Sequence, residues 1–361
     1  MKPDGSFADI PDEVRRRVAA DERVALLFLD ALGLRFLHRH DDHPLLERLQ
    51  ITPLRSQFPS TTTAHVSTIH TGLAVQDHGL YEWNVLEPEL GTIICPLRFN
   101  SPSSKVSDDL EGRLDPAVLL PGPTLYDSLD APSFVLQPAA IASSAFTRRA
   151  TRGAAVHGFQ TPAEGLRLLA DLMAGRDGPA YAQLYWDAID RAGHESGPDS
   201  PEFAAATRQT LDAIHAQLAD LEGVTVLLTA DHGQVAVSPE RVDYLDELWP
   251  ELPALLSQPR PAGSSRDVFL HMAPEHVDTV IASLGPRLQD AAPGSRVLRA
   301  TELFDRIGPR LAARLGQVAV LAAPGRQVWL RSAPANERWF RGQHGGLEAA
   351  ETETYLAEVQ G

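Results

Sequence analysis

The stretch Phe58-Pro-Ser-Thr-Thr-Thr-Ala-His-Val-Ser-Thr-Ile-His-Thr-Gly-Leu73 decides how the rest of the chain is interpreted. It opens with Pro59 and a run of hydroxyl residues, and it then becomes apolar at helical spacing through Val66, Ile69 and Leu73. Pro59 suits the turn before a helix, and a Ser or Thr at the helix start caps its free N–H groups. A hydroxyl at that end lies in the positive end of the helix dipole, where an anion is stabilised. The stretch predicts a well-capped helix, and it is also a suitable place for an oxygen nucleophile that attacks phosphorus.

Apolar runs of strand length recur on both sides of this helix. Residues 24–29, 181–186 and 224–229 are predicted to be buried strands of a parallel sheet. An acid follows the first run directly, as Asp30, and Asp231 follows the third after one alanine. Sites in doubly wound sheets lie beyond the carboxyl ends of the strands, although such an acid can also be a helix cap. The repeated order of strand, acid and helix predicts an α/β fold with a mainly parallel central sheet flanked by helices.

Two segments depart from this alternation. Residues 88–123 are rich in Pro, Ser and Gly, and we predict that they form an insertion over the site. Residues 236–324 contain a separate β-α-β pattern, which predicts a small inserted cap or lid subdomain. We therefore assign residues 1–235 and 325–361 to one catalytic α/β domain.

Composition and charge limit the classes of partner. The 361 residues are 43% hydrophobic and 22% charged, as in an ordinary globular protein, and the net charge is −16. This charge argues against binding to nucleic acid or to an anionic membrane, while a phosphate-bearing substrate would need local positive charge such as bound metal ions. Cys95 is the single cysteine, which excludes an internal disulfide and a thiolate cluster. The first 21 residues lack an apolar run of signal-peptide type, so a cytoplasmic location is expected. The oligomeric state is not indicated.

Carboxylate and imidazole side chains stand beside glycines or strand ends at four separate places. These places are Asp30, Asp190 with His194, Asp231 with His232, and His344. Such side chains are the usual ligands of zinc and similar divalent ions. Six of them suit two ions better than one, and a pair of cations is a standard device for phosphoryl transfer. The sequence therefore predicts a hydrolytic site with two divalent metal ions.

The chain resembles the type I phosphodiesterase and nucleotide pyrophosphatase family of the alkaline phosphatase superfamily. The resemblance runs from about residue 24 to residue 347, and the order and spacing of its motifs specify the family more closely than the substrate. The motifs are Leu29-Asp30, Phe58-Pro-Ser-Thr-Thr62, His70-Thr-Gly-Leu73, Asp77-His-Gly-Leu80, Asp190-Arg-Ala-Gly-His194, Ala230-Asp-His-Gly233 and Gln343-His-Gly345. The Cys-x-Pro-x-Arg context that sulfatase relatives need is missing around Cys95.

The resemblance implies two metal sites, with zinc as the expected ion and manganese as an alternative. One site would be held by Asp190, His194 and His344, and the other by Asp30, Asp231, His232 and the nucleophile oxygen. The register of the family places the nucleophile at Thr62, with Thr61 and Thr63 one residue away on either side. Asp187 could replace Asp190 as a ligand, but the spacing from Asp190 to His194, with Gly193 between them, favours Asp190.

The rim loop after Gly79 departs from the family pattern. Nucleotide-cleaving relatives have an asparagine there that helps to hold a phosphoryl oxygen, and Trp83 occupies the aligned position in this chain. Asn84 follows one residue later, and we predict that it contacts the substrate instead. Trp83 or Tyr81 could stack on a base, or either ring could simply pack in the rim.

The resemblance implies a hydrolase that cleaves phosphodiester or pyrophosphate bonds of a small substrate, including nucleotides. Thr62 would attack phosphorus to form a covalent phospho-threonine, which water then hydrolyses. His65 and His70 need not take part, and packing on the helix faces explains them. The same site would also suit a phosphomonoesterase or a phosphonate hydrolase that cleaves a carbon–phosphorus bond. The alternative from another class is a catalytically silent metal-binding domain.

Overall fold

A computed structural model describes residues 5–333 and 339–360 of the chain. Its centre is one eight-stranded sheet, and all strands but one run in the same direction. The exception, Glu353–Val359, is antiparallel to both of its neighbours. In order across the sheet the strands are Gly5–Ser6, Leu49–Arg55, Glu353–Val359, Thr225–Thr229, Arg23–Leu29, Ala180–Trp186, Ser133–Pro138 and Ala155–Phe159. The predicted α/β fold with a mainly parallel sheet is confirmed.

The central strand Arg23–Leu29 shows why this part of the sequence is continuously apolar. It is hydrogen bonded on both edges to parallel neighbours and covered on both faces. Alternate side chains enter two different hydrophobic cores, with Val24, Leu26 and Phe28 in one and Ala25, Leu27 and Leu29 in the other. Both cores therefore depend on this strand, and its end is held at a fixed place.

Helices cover both faces of the sheet. The longer ones are Ile10–Ala19, Thr62–Thr71, Ala145–Ala150, Pro162–Met173, Ala188–Ser196, Pro201–Gln217, Val277–Ala291 and Pro309–Arg314. One-turn helices are Leu34–Leu37, Val75–His78, Leu245–Leu248 and Ala349–Thr352. Thr161 and Ser200 cap two of the long helices by accepting the N–H of the residue three positions later. Among the described residues no helix is both long and apolar enough to cross a bilayer.

A smaller antiparallel sheet lies in the segment predicted to be the cap. Its strands, in order, are Ala262–Gly263, Asp267–Leu270, Val318–Leu321 and Arg296–Arg299. Val268 and Val320 pack with the helix Val277–Ala291, whereas Phe269 and Ala319 join the core of the main sheet. The strand Gln327–Trp329 pairs in parallel with Val242–Tyr244. Its side chains belong to the same hydrophobic core as the helix Val277–Ala291. The domain boundaries given above stay a prediction.

Short strands connect the remaining segments. Val85–Glu87 and Thr92–Ile94 form a hairpin at the start of the predicted insertion, which then continues through irregular turns. Val235–Ala236 pairs with Gly342–Gln343, directly before His344. This pairing therefore joins the segment that follows Asp231 and His232 to the segment that precedes His344.

A buried ion pair joins the small sheet to the segment after His344. Arg266 is 1% exposed, and its Nε and Nη2 donate to the two carboxylate oxygens of Glu351 at 3.0 Å each. Arg266 Nη1 donates to the carbonyls of Ala323 and Arg326. Glu351 also accepts the N–H of Gly346 at 3.0 Å. The two buried charges therefore have their hydrogen-bond partners in each other and in nearby main-chain groups. The bond from Gly346 to Glu351 also fixes the loop that carries His344.

Replacing Arg266 with methionine is expected to lower the free energy of unfolding by about 3–5 kcal/mol, because Glu351 would stay buried without its cation. Urea denaturation followed by circular dichroism measures this change. The exposed pair of Arg331 and Glu247 is the control, and Arg331→Met should cost less than about 1 kcal/mol. A loss below about 1 kcal/mol for Arg266→Met would contradict the role given to the buried pair.

Candidate metal centre

The topology brings the predicted ligands to one edge of the sheet. Arg23–Leu29 lies between Thr225–Thr229 and Ala180–Trp186, and all three strands are parallel. Asp30 therefore follows the middle strand, beside the ends of its two neighbours. Asp231 follows one of them after a single residue, and the helix with Asp190 and His194 follows the other. The edge predicted from strand-end acids is the edge at which these side chains meet.

Thr62 is the first residue of the helix Thr62–Thr71 and faces these ligands. Its Oγ1 lies 3.4 and 3.5 Å from the carboxylate oxygens of Asp30 and 3.2 Å from Nε2 of His232. Thr61 does not cap the helix with its side chain as predicted, because its hydroxyl donates to the carbonyl of Tyr81 at 3.0 Å. Thr63 Oγ1 is buried and has no hydrogen-bond partner in the described part of the chain. The hydroxyl of Thr62 is thus the one held against Asp30 and His232.

The first group of ligand atoms comes from Asp190, His194 and His344, as the resemblance implied. One ligand atom of each residue lies within 4.8 Å of the others. His194 Nε2 is 3.2 Å from Oδ2 of Asp190, and His344 Nε2 is 3.7 Å from Oδ1 of Asp190. Asp187, the alternative to Asp190, lies at the helix start and belongs to neither group of ligands found among the described residues.

The second group comprises Asp30, Asp190 and His232, so Asp190 is shared by both groups. This differs from the assignment above, which gave Asp190 to one ion alone. Asp231 lies at the edge of the second group, with Oδ2 3.2 Å from Nε2 of His232. Its Oδ1 accepts the N–H groups of Ala31 and His232, whereas Oδ2 is buried without a hydrogen bond to any described residue. An unpaired buried carboxylate oxygen beside an imidazole nitrogen fits a cation ligand.

All three histidines are oriented by carbonyl groups of the main chain. Nδ1–H donates to the carbonyl of Gly342 from His194, to that of Ser60 from His344, and to that of Gly233 from His232. A carbonyl can only accept, so Nδ1 carries the proton and the lone pair of Nε2 faces the centre. Each imidazole is thereby prepared to bind a metal through Nε2.

The electrostatics of the cluster also favour bound cations. Burial, together with Asp231 and Asp190, raises the pKa of Asp30 well above its usual range, and burial raises the pKa of Asp231 to about 7. Burial opposes the ionisation of Asp190 as well, but His194 outweighs it and holds the pKa of Asp190 below its usual range. Burial lowers the pKa of His344 to about 4, so this imidazole is neutral at neutral pH. A divalent ion binds ionised carboxylates and neutral imidazoles, so its charge would offset the burial and mutual repulsion of these acids, and His344 could bind it without losing a proton.

The spacing of the donor atoms fits the expected ion. A tetrahedral zinc ion with bonds of about 2.0–2.2 Å holds its ligand atoms roughly 3.3–3.6 Å apart. In the first group the ligand atoms of Asp190 lie 3.2 Å from His194 and 3.7 Å from His344, and in the second group His232 Nε2 lies 3.6 Å from Oδ1 of Asp30, all close to this range. Residue types and spacing therefore fit a divalent cation in each group, and both zinc and manganese accept such ligands.

Two residues around the ligands were missed by the sequence analysis. Gln234 donates from Nε2 to Oδ1 of Asp190 at 2.6 Å, and Tyr185 donates its hydroxyl proton to Oδ2 of Asp30. Gln234 directly follows the Asp-His-Gly motif, which was a usable signal, whereas Tyr185 sits in an apolar run with no distinguishing pattern. Gln234 thereby fixes the orientation of the Asp190 carboxylate, and Tyr185 fixes that of Asp30.

A cavity of about 270 Å³ opens beside Thr62. Its lining includes the first ligand group, Trp83 of the rim loop, Arg98 of the insertion and Arg260, which precedes the small sheet. Trp83 therefore lies where a substrate can touch it, whereas Tyr81 is fully buried with its ring centroid 4.9 Å from that of Phe269.

Asn84, the predicted substrate contact, is 2% exposed. Its side-chain Nδ2 donates to the carbonyl of Gly263 at 3.1 Å, and its main-chain carbonyl accepts the N–H of Gly263 at 2.8 Å. Asn84 is not among the residues that line the cavity in the described part of the chain. Its contact with substrate stays a prediction, and the bond observed here is structural.

Zinc binding is expected to strengthen as the pH rises to about 7. The raised pKa of Asp231 lies above its ordinary value of 3.8, so this residue stabilises the metal-free fold at low pH. This contribution of Asp231 to the stability of the metal-free fold is lost as the pH rises from about 4 through 7. Above that pH the carboxylate is ionised and can bind zinc without first releasing a proton. His344 is already neutral over the upper part of this range and does not compete through a proton.

The measurement is the rise in Tm that zinc produces relative to EDTA, which should be larger at about pH 7.5 than at about pH 5.5. Asp231→Asn should remove most of this difference, while Asp187→Asn, outside both groups, should keep it. A zinc-induced rise that is the same at both pH values would contradict the role of Asp231. An EDTA melting curve equal to that with zinc would count against bound ions altogether.

Comparisons with known proteins identify the family of this chain and agree with its fold. Residues 24–347 match the family described as type I phosphodiesterase/nucleotide pyrophosphatase. Ectonucleotide pyrophosphatase/phosphodiesterase family member 3 from Rattus norvegicus is 24% identical over 249 residues, which cover 66% of this chain. They cover 27% of the rat protein, so the chain spans about a quarter of the length of that relative. A bis(5'-adenosyl)-triphosphatase from Bos taurus is 33% identical over 76 residues, covering 18% of this chain and 16% of the bovine protein.

Solved structures share the whole fold at low sequence identity. Murine ectonucleotide pyrophosphatase/phosphodiesterase 5, as an inactive variant in complex with AMP, superimposes with a TM-score of 0.71 at 16% identity, covering 93% of this chain and 88% of that one. Phosphonoacetate hydrolase from Sinorhizobium meliloti, in complex with phosphonoformate, gives a TM-score of 0.66 at 17% identity, covering 94% and 90%. Both matches extend over the main sheet and the cap segment together.

Proposed function

The chain belongs to the type I phosphodiesterase/nucleotide pyrophosphatase family, and from this we propose that it is a metal-dependent hydrolase of phosphodiester or pyrophosphate bonds. The observation that carries the proposal is the position of Thr62. Its hydroxyl lies within 3.5 Å of Asp30 and His232, at the start of a helix and at the wall of a cavity. A hydroxyl held among carboxylate and imidazole ligands is suited to attack phosphorus.

Two divalent ions, with zinc expected, would be held by the ligand groups that share Asp190. When bound, they supply positive charge to the phosphoryl group and lower the pKa of a coordinated hydroxyl. Asp231, with its unpaired carboxylate oxygen, would complete the group of Asp30 and His232. Manganese is the alternative ion, and the metal content of the purified protein decides between them.

The residues of the chain itself place the reacting atoms. Asp30 and His232 fix Oγ1 of Thr62 on the cavity side of the helix start. The first N–H groups of the helix have no partner within it, and they can donate to an oxygen of the phosphoryl group. A bond forms from Oγ1 to phosphorus as the bond to the leaving oxygen breaks, and the proton of the Thr62 hydroxyl is balanced by the one that the leaving oxygen takes up. Water then cleaves the phospho-threonine, which releases the phosphate product and restores Thr62.

The solved relatives support two substrate classes. The murine relative binds AMP and is inactive as a threonine-to-alanine variant, which supports a nucleotide substrate and a threonine nucleophile. The Sinorhizobium meliloti relative binds phosphonates, so hydrolysis of a carbon–phosphorus bond is the second candidate.

Hydrolysis rates on bis(p-nitrophenyl) phosphate, p-nitrophenyl phosphate and phosphonoacetate, each with zinc and with manganese, test the proposal. We expect the diester to be cleaved with the highest kcat/KM. A faster rate on the monoester or on phosphonoacetate would select one of the alternatives. Two metal ions per chain without hydrolysis of any substrate, including nucleotide and sugar-nucleotide pyrophosphates, would indicate a silent metal-binding domain.

A further inference from the structure

We propose that the cavity beside Thr62 binds a second anionic group of the substrate, a phosphate or a carboxylate, between Arg98 and Arg260. This inference rests on the proposed function, because it concerns the part of a phosphate ester that extends from the metal centre. Both arginines line the same cavity as Thr62 and His194. The substrate class is therefore a diester or pyrophosphate that carries a further negative charge, in preference to one with a neutral substituent.

The two arginines reach the cavity from separate segments. Arg98 belongs to the predicted insertion, and Arg260 lies two residues before the strand Ala262–Gly263 of the small sheet. Among the lining residues that the structure describes, no other lysine or arginine is present. The chain as a whole has a net charge of −16, so two guanidinium groups at one cavity oppose the charge of the remaining protein.

Arg98 is held in place without a carboxylate partner among the described residues. Its Nη2 donates to the carbonyl of Lys105 at 2.9 Å, and its Nε donates to the hydroxyl of Ser107 at 3.5 Å. Nearby, by contrast, Arg148 pairs with Glu111. Neutral partners leave the charge of Arg98 uncompensated, and Nη1 makes no hydrogen bond within the described ranges. The guanidinium is thus oriented and still able to bind an anion.

The segment that carries Arg260 is fixed on both sides. Gln258 donates from Nε2 to the carbonyl of Gly91, in the turn of the hairpin that begins the insertion, at 3.0 Å. Gly263 exchanges two hydrogen bonds with Asn84, at 2.8 and 3.1 Å. Arg260 lies between these two attachments. Asn84 therefore acts here as a positioning residue that binds the start of the small sheet to the rim of the cavity.

The chemistry of the two ends of the cavity is complementary to such a substrate. Thr62 and the ligand groups receive the phosphoryl group that is cleaved. Arginine matches phosphate and carboxylate through paired N–H donors, and hydrogen bonds to charged groups are about twice as strong as neutral ones. A second anion on the same substrate would therefore be bound at the same time as the reacting group, which raises kcat/KM for that substrate.

The first experiment uses three phosphodiesters that share p-nitrophenol as the leaving group. They differ in the other ester group, which is propyl, 2-carboxyethyl or 2-(phosphonooxy)ethyl. We expect kcat/KM for the better of the two charged diesters to exceed that of the propyl diester by about tenfold or more. Arg98→Gln and Arg260→Gln should each reduce this preference severalfold. Arg113→Gln and Arg296→Gln, exposed arginines of the same two segments, are matched controls that should preserve it.

A binding measurement separates this inference from the proposed function. Zinc-loaded Thr62→Ala is titrated calorimetrically with propyl phosphate, 2-carboxyethyl phosphate and ethylene glycol bisphosphate. Tighter binding of a charged ligand that weakens in both arginine variants supports the subsite, even if no diester is hydrolysed and the proposed function fails. Equal Kd values for neutral and charged ligands, or a preference that both arginine variants retain, would overturn it. The better of the two charged ligands identifies carboxylate or phosphate as the group bound.

Discussion

Thr62→Ala is expected to lower kcat for bis(p-nitrophenyl) phosphate by about 1,000-fold or more, as the loss of a nucleophile does in other hydrolases. The hydroxyl of Thr62 contacts both Asp30 and His232, and the substitution removes the one atom that would bond to phosphorus. Thr62 is 9% exposed and its side chain is small, so the helix Thr62–Thr71 should remain intact. Steady-state assays with zinc, together with the metal content and the Tm of the variant, measure the effect.

Thr63→Val is the matched control for this substitution. Its Oγ1 is buried without a described hydrogen-bond partner, so an isosteric methyl group should preserve both the fold and kcat within about tenfold. Turnover near the wild-type level in Thr62→Ala would exclude the phospho-threonine route. A large loss in Thr63→Val with little loss in Thr62→Ala would instead mean that the nucleophile is one residue further along.

Asp190→Ala is expected to remove metal from both groups, because Asp190 is the ligand that they share. Metal content measured by mass spectrometry should fall from near two ions per chain to below one. The rate on bis(p-nitrophenyl) phosphate should fall by about 1,000-fold, since both ions contribute to the charge at the phosphoryl group. His194→Ala, which affects the first group alone, should retain close to one ion.

Asp187→Asn serves as the control for Asp190, because Asp187 lies on the same turn of chain but in neither group. It should retain two ions and most of the activity. If Asp190→Ala behaved like His194→Ala, with one ion kept, the sharing of Asp190 would be wrong. If Asp187→Asn lost an ion, the alternative ligand raised by the sequence would replace Asp190.

Several candidate ligands could be singled out from the sequence because they stand beside a local pattern. Asp30 and Asp231 follow buried strands, and parallel strands bring their carboxyl ends to one edge. The spacing from Asp190 to His194 places both side chains on one face of a single helix. Such signals lie within a few residues of one another, so the sheet and its strand-end acids follow from short-range patterns, whereas His344 was assigned through the family resemblance.

The remaining features depend on contacts between residues far apart in the chain. Tyr185 meets Asp30 across 155 positions, and Arg266 meets Glu351 across 85 positions. No local pattern encodes such distances, so these partners emerged from the tertiary packing. The hydrogen bonds of Asn84 to Gly263 could not be foreseen for the same reason, since Gly263 lies 179 positions away in the small sheet, and its contact with substrate stays a prediction.

The wide separation of Asp30 and His344 along the chain has a consequence for biosynthesis. A nascent polypeptide on the ribosome exposes Asp30 and then the Asp190–His194 pair well before His344 and Glu351 are translated. Until then the shared carboxylate lacks an imidazole of its first group, and the loop of His344 lacks its clamp to Arg266. We therefore expect the two ligand groups to be complete, and able to hold the proposed ions tightly, only late in synthesis.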